Sequence, residues 1–434
     1  MSDRAAGRRR WPVWVGIALA AVLVLCGGPG VLVLTVVALP GIPVSIAGPA
    51  VWAEPKAVRS PRPGDPEPVR RGWLREQMQQ QLDRQAAALL RGDERTFLAV
   101  ADPAAPAARD LKRLFRTLRA MRVTAWRPAV PDEPVRTGEF WRAAVTYEHC
   151  FVVPACRTSP VVLGTRWADG ATGPRLVAVE ASLAQQDGPR PWEINDLRVA
   201  VGARTLVATT PAYRSRLPEL LRQAERAAAV ADRYAVGRPP PDRYRIFYAG
   251  RTEWTRWYGG GRPDWTAGYA VGIGGDRYDV VLNSTGLHAN LLDDLLRHEL
   301  THASSLPGRG SAGDANWWLV EGIAEYAAAS GHPLGRYDHL ADLRRLVQGG
   351  WDGRLDTVKP PSDATDWEVS GRYAIGYLAV RHLIDRFGEQ RVLDFIEAVL
   401  HRGEPVPAAA QRFFGIDWIQ LDEDCVSYVR SVAA

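Results

Sequence analysis

The sequence predicts an α+β protein that begins with a transmembrane helix, continues with helices and a long antiparallel sheet, and ends in a mostly helical region with a small mixed or antiparallel sheet. Three observations support this class. An uncharged run follows a basic N-terminus; two amphipathic helices precede several strand-like runs; and long apolar helices surround a few short strands in the second half. At 434 residues the chain is too long for one ordinary domain.

The N-terminus predicts a membrane anchor. Residues 11–39 carry no charge, and a run of this length crosses a hydrocarbon core of about 30 Å even when tilted. Because arginines before a span stay on the cytoplasmic side, residues 1–53 are expected to form a cytoplasmic basic tail and an anchor at the cell membrane, with the rest of the chain extracellular. The alternatives are a signal peptide cleaved after Ala53 and a lipoprotein anchored through Cys26.

The next two segments predict a spacer and a first folded domain. Residues 54–70 contain five prolines among charged residues, which is typical of a stiff extended linker. In the domain predicted at residues 71–202, periodicity indicates two helices and then four strands, at residues 73–89, 107–121, 140–147, 160–166, 175–182 and 192–199. This order resembles the NTF2-like cone fold, which implies a spacer or partner-binding module.

The cysteines of this region predict a disulfide. Cys150 and Cys156 lie six residues apart between two strand-like runs, and a disulfide between them would close a hairpin loop. A zinc site that includes His149 is the alternative, but the chain has no second cysteine pair. His149 is otherwise expected in a loop or at the surface, and Cys425 is expected to be a buried free thiol.

The most informative segment is residues 296–302, which reads LRHELTH. Residues four apart on a helix are separated by only about 40° around the axis and about 6 Å along it, so His298 and His302 can bind one metal ion. Leucines at three- and four-residue steps would seat this helix in a core, and Ser284 or Thr285 is expected to cap its start.

These residue types predict hydrolytic zinc chemistry. Two imidazoles and one carboxylate are a catalytic ligand set that leaves one position for water and lowers the pKa of that water to about 7. Glu299, beside His298, is then the candidate general base. The alternative is that this pattern occurs by chance on an ordinary buried helix. A third ligand elsewhere in the sequence is needed to distinguish a metal site from a chance match.

The third ligand is predicted nineteen positions after His302, in the run NWWLVEGIAEY at residues 316–326. Glu321 and Glu325 stand four apart on an apolar helix, and carboxylates are rarely buried without a partner. Glu321 is therefore expected to bind the metal, and Glu325 to accept a hydrogen bond from a ligand histidine. Gly322 would let the two helices approach closely. The alternative is an amphipathic helix whose glutamates face solvent.

The two helices together resemble the gluzincins, the thermolysin-like clan of zinc metallopeptidases, and within it the peptidase MA-like domains. Members of that group pair an HExxH helix with a W-x-x-E-G-x-A-E-Y helix, and the resemblance covers most of the domain predicted at residues 203–434. It implies one Zn²⁺ held by His298, His302 and Glu321, with Glu299 as general base and Glu325 behind the ligands.

The resemblance also implies residues that contact substrate. A tyrosine commonly stabilises the oxyanion in gluzincins, and Tyr373 holds that position here; a core aromatic residue near Tyr377 is the alternative. Gluzincins pair an extended substrate with an edge strand beside the metal. Of the strands predicted at residues 244–248, 268–273 and 278–282, the second is the candidate, with Gly268, Tyr269 and Ala270, because it has few bulky side chains. Later helices are predicted at residues 373–387, 391–401 and 408–432.

Composition limits the partners. Only three lysines accompany 51 arginines among the 54 basic residues, the arginines are dispersed among acidic residues, and the net charge is +5, so no nucleic-acid surface is predicted. The expected function is a membrane-anchored zinc metallopeptidase that hydrolyses peptide or protein substrates outside the cytoplasm. The alternative is a metal-binding but non-catalytic scaffold whose NTF2-like domain recruits a partner. A general base favours the peptidase, because a scaffold has no use for Glu299.

Overall fold

The computed structural model describes residues 60–285, 287, 291–307 and 313–434. Three helices come first, because apolar residues recur at helical spacing and a proline or aspartate begins each helix. They are α1 (Glu67–Arg91), α2 (Glu94–Leu98) and α3 (Pro106–Ala120).

The first sheet follows these helices and is antiparallel, with strand order β1-β3-β4-β5 and with β2 paired to β3. Its strands are β1 (Val123–Ala129), β2 (Val135–Thr137), β3 (Phe140–Phe151), β4 (Ser159–Ala168) and β5 (Arg175–Glu180). Buried and exposed residues alternate along β3 and β4, which is the period of a sheet with one covered face. Helices α1 and α3 cover that face.

The second sheet is mixed, with strand order β6-β7-β8-β10-β9. Its strands are β6 (Arg198–Val201), β7 (Thr205–Thr209), β8 (Tyr244–Ala249), β9 (Gly268–Gly274) and β10 (Arg277–Asn283). The central strands β7, β8 and β10 are parallel and almost wholly buried, whereas the edge strands β6 and β9 pair antiparallel. Helix α5 (Leu217–Ala231) makes the crossover from β7 to β8 and packs on the sheet.

The strand predicted at residues 192–199 is wrong. Residues Pro191–Ile194 form a helical turn, α4, whose capping residue Arg190 and third residue Glu193 hydrogen-bond across the turn. The strand that follows, β6, belongs to the second sheet and not to the first. The boundary predicted between residues 202 and 203 therefore runs between two paired strands, β6 and β7.

The rest of the chain is helical apart from its connections. After the short α6 (Arg251–Trp254), the helices are α7 (Leu292–Ser305), α8 (Trp317–Ala328), α9 (Leu340–Gln348), α10 (Asp366–Phe387), α11 (Glu389–Ile396), α12 (Val406–Phe414) and α13 (Trp418–Ala433). Helix α10 lies at the centre of this region and packs against α8, α9 and α13. Helix α7 packs with one face on α5 and the second sheet and contacts α8 with another.

Two local predictions about these helices are wrong. Helix α7 begins after Leu291, without a side-chain cap, so neither Ser284 nor Thr285 caps it. The single helix predicted at residues 408–432 is two helices, because Gly415 adopts a left-handed conformation with φ of 69° and ends α12. Asp417 then caps α13 through the backbone N–H of Ile419.

The prediction of a transmembrane helix is corrected. Residues 11–39 lie outside the described residues, and none of the helices described from residue 60 onward is both long and apolar enough to cross a membrane. The two longest, α1 and α10, both contain several charged residues, which a hydrocarbon core disfavours. The described fold is α+β with two sheets and a helical C-terminal part, and the expected membrane location with an extracellular catalytic domain is corrected with it.

The cysteine loop connects β3 and β4 of the first sheet, and the start of β4 contacts the second sheet. Cys150 and Cys156 form a disulfide with a Cα–Cα distance of 6.0 Å, and Cys425 is a buried free thiol. Just beyond this loop, the hydroxyl of Ser159 donates to the carbonyl oxygen of Gly274 at the end of β9, 3.2 Å away. The surface position expected for His149 is wrong: it is buried on β3, against Trp192.

Helices α8 and α10 cross where each has a glycine. A Cβ atom on Gly322 would lie 2.4 Å from the carbonyl oxygen of Gly376, and one on Gly376 would lie 2.9 Å from that of Trp318. The backbones can therefore approach only because neither position has a side chain. The close approach expected at Gly322 is present, but its neighbour is α10 and not the helix that contains His298.

We expect the substitution Gly322→Ala to lower the free energy of unfolding by about 1–3 kcal/mol, because the new methyl group overlaps a backbone oxygen that cannot rotate away. Urea unfolding of the full chain measures the change. Gly335→Ala is the control, since a Cβ there meets nothing within 4 Å, and it should shift stability by less than about 0.5 kcal/mol. An unchanged midpoint for Gly322→Ala would contradict the steric explanation.

Candidate metal centre

Helix α7 presents its two histidines to one buried point. His298 and His302 are one turn apart, both are buried, and their Nε2 atoms lie 3.0 Å from each other. Leucines on the other side of the helix, Leu292, Leu296 and Leu300, pack into the core formed with α5 and the second sheet. The apolar face of α7 thus fixes its rotation and directs both imidazoles towards α8.

Helix α8 contributes the third polar group. The Oε2 atom of Glu321 lies 3.1 Å from Nε2 of His302 and 3.2 Å from Nε2 of His298. Ligands of a tetrahedral zinc ion with bonds of about 2.0–2.1 Å are separated by about 3.3 Å, so these spacings fit a single Zn²⁺. Among the described residues, these three form the one group of histidine, cysteine or acidic side chains that could hold a metal ion.

A second carboxylate holds the outer nitrogen of His298. Glu325 lies one turn after Glu321, and its Oε1 atom is 2.8 Å from Nδ1 of His298. Because a carboxylate only accepts, Nδ1 carries a proton, and a metal at Nε2 would bind the neutral form of the imidazole. The hydroxyl of Tyr337 donates to the other oxygen of Glu325 at 2.6 Å. His298, Glu325 and Tyr337 therefore form a continuous hydrogen-bonded chain.

The electrostatics of the group demand a cation. Burial alone would lower the pKa of His298, but hydrogen bonds to Glu321 and Glu325 raise that pKa well above its usual range. Burial would likewise raise the pKa of Glu321, but the charges and hydrogen bonds of His302 and His298 lower it. Carboxylates this far from solvent persist only beside positive charge, which a protonated imidazole or a divalent metal can supply.

Glu299 differs from the other glutamates because one of its oxygens has no partner. The residue is 4% exposed, and Oε2 makes no hydrogen bond within the described part of the chain. Burial raises the pKa of its carboxyl group, which strengthens it as a base. On its other side Glu299 contacts β9: a Cβ on Gly268 would lie 2.8 Å from Oε1. A side chain at position 268 would therefore push the Glu299 carboxylate out of this position.

The remaining predicted site residues lie at different distances from this centre. Tyr373, on α10, packs its ring against His298 with the centroids 5.7 Å apart, and burial together with nearby carboxylates raises its pKa well above the usual range. It is therefore a neutral hydrogen-bond donor. The ring of Tyr269 lies beneath the guanidinium of Arg262, and Ala270 packs towards the α5 and α7 core.

A cavity of about 770 Å³ opens beside these residues and is lined by His298, Glu299, Glu325 and Tyr373. Its far wall is formed by the segment between α8 and α9, which includes Tyr337. Sequence reasoning missed Tyr337, because it lies in a turn-rich segment without periodicity or motif. Trp317, which packs on Tyr373 at 5.0 Å, was also missed as a site residue. Its position at the start of α8, the helix that contains Glu321, could have indicated that Trp317 lies near the site.

Comparison with known proteins gives partial structural likenesses. No family profile and no curated protein sequence matches the chain. The structure is similar to leukotriene A4 hydrolase from Saccharomyces cerevisiae, at 18% identity and a TM-score of 0.35, over 52% of this chain and 38% of that one. A mutant M1 zinc metallopeptidase from Deinococcus radiodurans gives 14% identity and a TM-score of 0.34, over 72% and 62%. The chain thus spans less than half of the yeast enzyme, and these comparisons do not show the NTF2-like resemblance of residues 71–202.

We expect Tyr337→Phe to weaken zinc binding by about tenfold, because it leaves a buried oxygen of Glu325 without its donor and loosens the support of His298. Competition with a chromogenic chelator measures the affinity. Tyr234→Phe is the matched control, since it removes a hydroxyl that contacts Ser330 and not the glutamate. Equal affinities for the two variants would show that the contact with Glu325 does not support the metal site.

Proposed function

We propose that the chain is a zinc-dependent metallopeptidase that hydrolyses peptide bonds. The observation that carries this proposal is the coexistence of two features at one point: a buried His298, His302 and Glu321 group spaced for one metal, and a buried Glu299 oxygen without a partner. A site that only bound a metal would need the first feature and not the second. The cavity next to both provides space for a substrate.

The three ligand residues would hold the zinc ion, and Glu325 with Tyr337 would keep the His298 imidazole in the required orientation. A Zn²⁺ ion bound there would supply Lewis-acid activation of a water molecule. Glu299 is the candidate to take the proton of that water, because it lines the cavity and its Oε2 atom has no hydrogen-bond partner among the described residues. The neutral hydroxyl of Tyr373 can donate a hydrogen bond to the substrate oxygen that becomes negative.

The first half of β9 would bind the substrate backbone. Strand β9 is an edge strand, so its outer side can accept one more strand. The end near Gly274 is already covered by Ser159, and the side chain of Arg190 lies 3.4 Å from the carbonyl oxygen of Ile273. The half with Gly268, Tyr269 and Ala270 lies beside Glu299, which would place a paired peptide next to the base.

The domain division and the NTF2-like assignment are also proposals. Helices α1 to α3 followed by an antiparallel sheet support an NTF2-like arrangement for residues 71–202. In that case this part would be a spacer or a binding module for a partner, and residues 203–434 would contain the chemistry. The described residues from position 60 onward form a single unit by their contacts.

We expect the purified full chain to bind one zinc ion, because the three ligand groups converge on one point. Elemental analysis gives the stoichiometry. The double substitution His298→Ala with His302→Ala should abolish retention of the metal, whereas His382→Ala, which changes a histidine stacked on Tyr428, should not. Full zinc content in the double variant would refute the ligand assignment.

We expect Glu299→Gln to lower the rate of peptide hydrolysis by a factor of about 10² to 10⁴ or more, because the amide cannot act as a base. Zinc content and stability should stay near wild type, because the amide has the same shape as the carboxylate. Cleavage of a peptide library by the full chain, with zinc analysis of the same samples, measures both effects. Glu325→Ala should instead reduce metal affinity and activity together, by about 10- to 100-fold. If Glu299→Gln leaves cleavage unchanged, the site is not catalytic, and the alternative of a metal-binding scaffold should be adopted instead.

A further inference from the structure

The wall of the cavity continues along α7 beyond the metal ligands. Asp294, His298 and His302 follow each other at intervals of four residues and share one face of the helix. Asp294 therefore lies one turn before His298, about 6 Å along the axis, and it lines the same cavity. A carboxylate at this distance from the metal group faces the part of a substrate next to the reacting bond.

Asp294 makes no hydrogen bond or ion pair with the described residues. Burial, the largest effect, raises the pKa of its carboxyl group, whereas the charges of Arg297 and His332 lower it. Arg297 is already engaged elsewhere: its Nη2 atom lies 2.5 Å from Asp293, and Nη1 lies 3.2 Å from the carbonyl oxygen of Ser330. Within the described residues, the carboxylate of Asp294 is therefore available to a ligand in the cavity.

The rest of the lining is acidic as well. Six of the described lining residues are carboxylates, and Arg336 is the one arginine or lysine among them. The carboxylates are Asp264, Asp294, Glu299, Glu325, Asp338 and Asp366. Glu299 and Glu325 belong to the metal centre, which leaves Asp264, Asp294, Asp338 and Asp366 as the other acidic groups of the lining. Such a lining concentrates cations and repels anions.

Apolar surface lies next to Asp294. Leu291 and Leu295, on either side of it along α7, also line the cavity, and Ala328, Ala329 and Pro333 lie on the other wall. Leu291 is 41% exposed, so its side chain is accessible to a ligand in the cavity. An aliphatic stem that ends in a cation matches this combination, because the stem packs on the leucines while the charge meets the carboxylate.

We propose that the cavity selects peptide substrates with an arginine or lysine side chain next to the scissile bond, and that Asp294 is the counter-ion of that side chain. This inference rests on the proposed peptidase function. It assigns Asp294 as a specificity-determining residue and leaves the chemistry to the groups described above. Arginine suits the site best, because its planar guanidinium can pair with both oxygens of one carboxylate.

The sharpest test compares two ligands that differ only in charge. Arginine hydroxamate and citrulline hydroxamate have the same metal-binding group and nearly the same shape, but the side chain of citrulline is neutral whereas that of arginine is positively charged. Calorimetry with the zinc-loaded full chain should give about 10- to 100-fold tighter binding of the arginine compound, since a charge-assisted pair is lost with citrulline. Asp294→Asn should remove this preference and leave the affinity for citrulline hydroxamate unchanged.

Asp363→Asn is the matched control, because Asp363 is an exposed acid outside the cavity lining and gives the same change in net charge. It should keep the full preference for arginine hydroxamate. The unchanged citrulline affinity and the zinc content of Asp294→Asn show that the variant is folded, and Asp294→Glu should retain part of the preference. A preference that survives in Asp294→Asn, or equal affinities in the wild type, would overturn the proposal.

The outcomes separate this inference from the proposed function. If the chain binds zinc and prefers arginine hydroxamate but cleaves no peptide in the library, the proposed peptidase function is refuted and the cation site is supported. A chain that cleaves peptides with no preference for basic side chains would keep the function and lose the cation site. A chain that binds no zinc would lose both, because the position of the cation site is defined by the metal centre.

Discussion

The contact of His298 with two buried glutamates is the interaction on which the rest of the C-terminal half depends. Buried carboxylates cost too much free energy to remain ionised without a positive partner, so Glu321 and Glu325 can stay in an apolar helix only while α8 faces the histidines of α7. That requirement fixes the rotation of both helices. A shift of one residue in α8 would turn both glutamates away by about 100° and place apolar side chains against the imidazoles.

The supports of the site come from three separate parts of the fold. Helix α7 is held by its leucines against α5 and the second sheet, whereas α8 is held by the close crossing of Gly322 with Gly376 on α10. The same sheet ends in β9, which passes Glu299 at Gly268. The proposed metal ligands, general base and substrate-binding strand thus lie on helices and strands and not on loops. This is the arrangement that keeps catalytic groups within a fraction of an ångström of their working positions.

The sequence predicted those parts of the site that depend on local spacing. The four-residue intervals within α7 and within α8 are properties of a single helix, so the grouping of His298 with His302 and of Glu321 with Glu325 could be inferred without tertiary structure. Tyr337 could not, because its contact with Glu325 depends on how the segment after α8 folds back. The helical turn at residues Pro191–Ile194 and the transfer of β6 to the second sheet were missed for the same reason: a short apolar run does not say which sheet it joins.

Charge explains how metal binding and substrate preference can be separate properties of one cavity. Two neutral imidazoles and the Glu321 carboxylate around a Zn²⁺ ion leave a net charge of +1, and the carboxylates of Glu325 and Glu299 bring the total to −1. A zinc ion held there would therefore nearly balance the charges around it. Asp294 lies outside this group, and Arg297 is held by Asp293 and by the carbonyl oxygens of Ala328 and Ser330. Because Asp294 makes no hydrogen bond or ion pair with the described residues, its half-buried carboxylate would be available to a ligand without disturbing the metal centre.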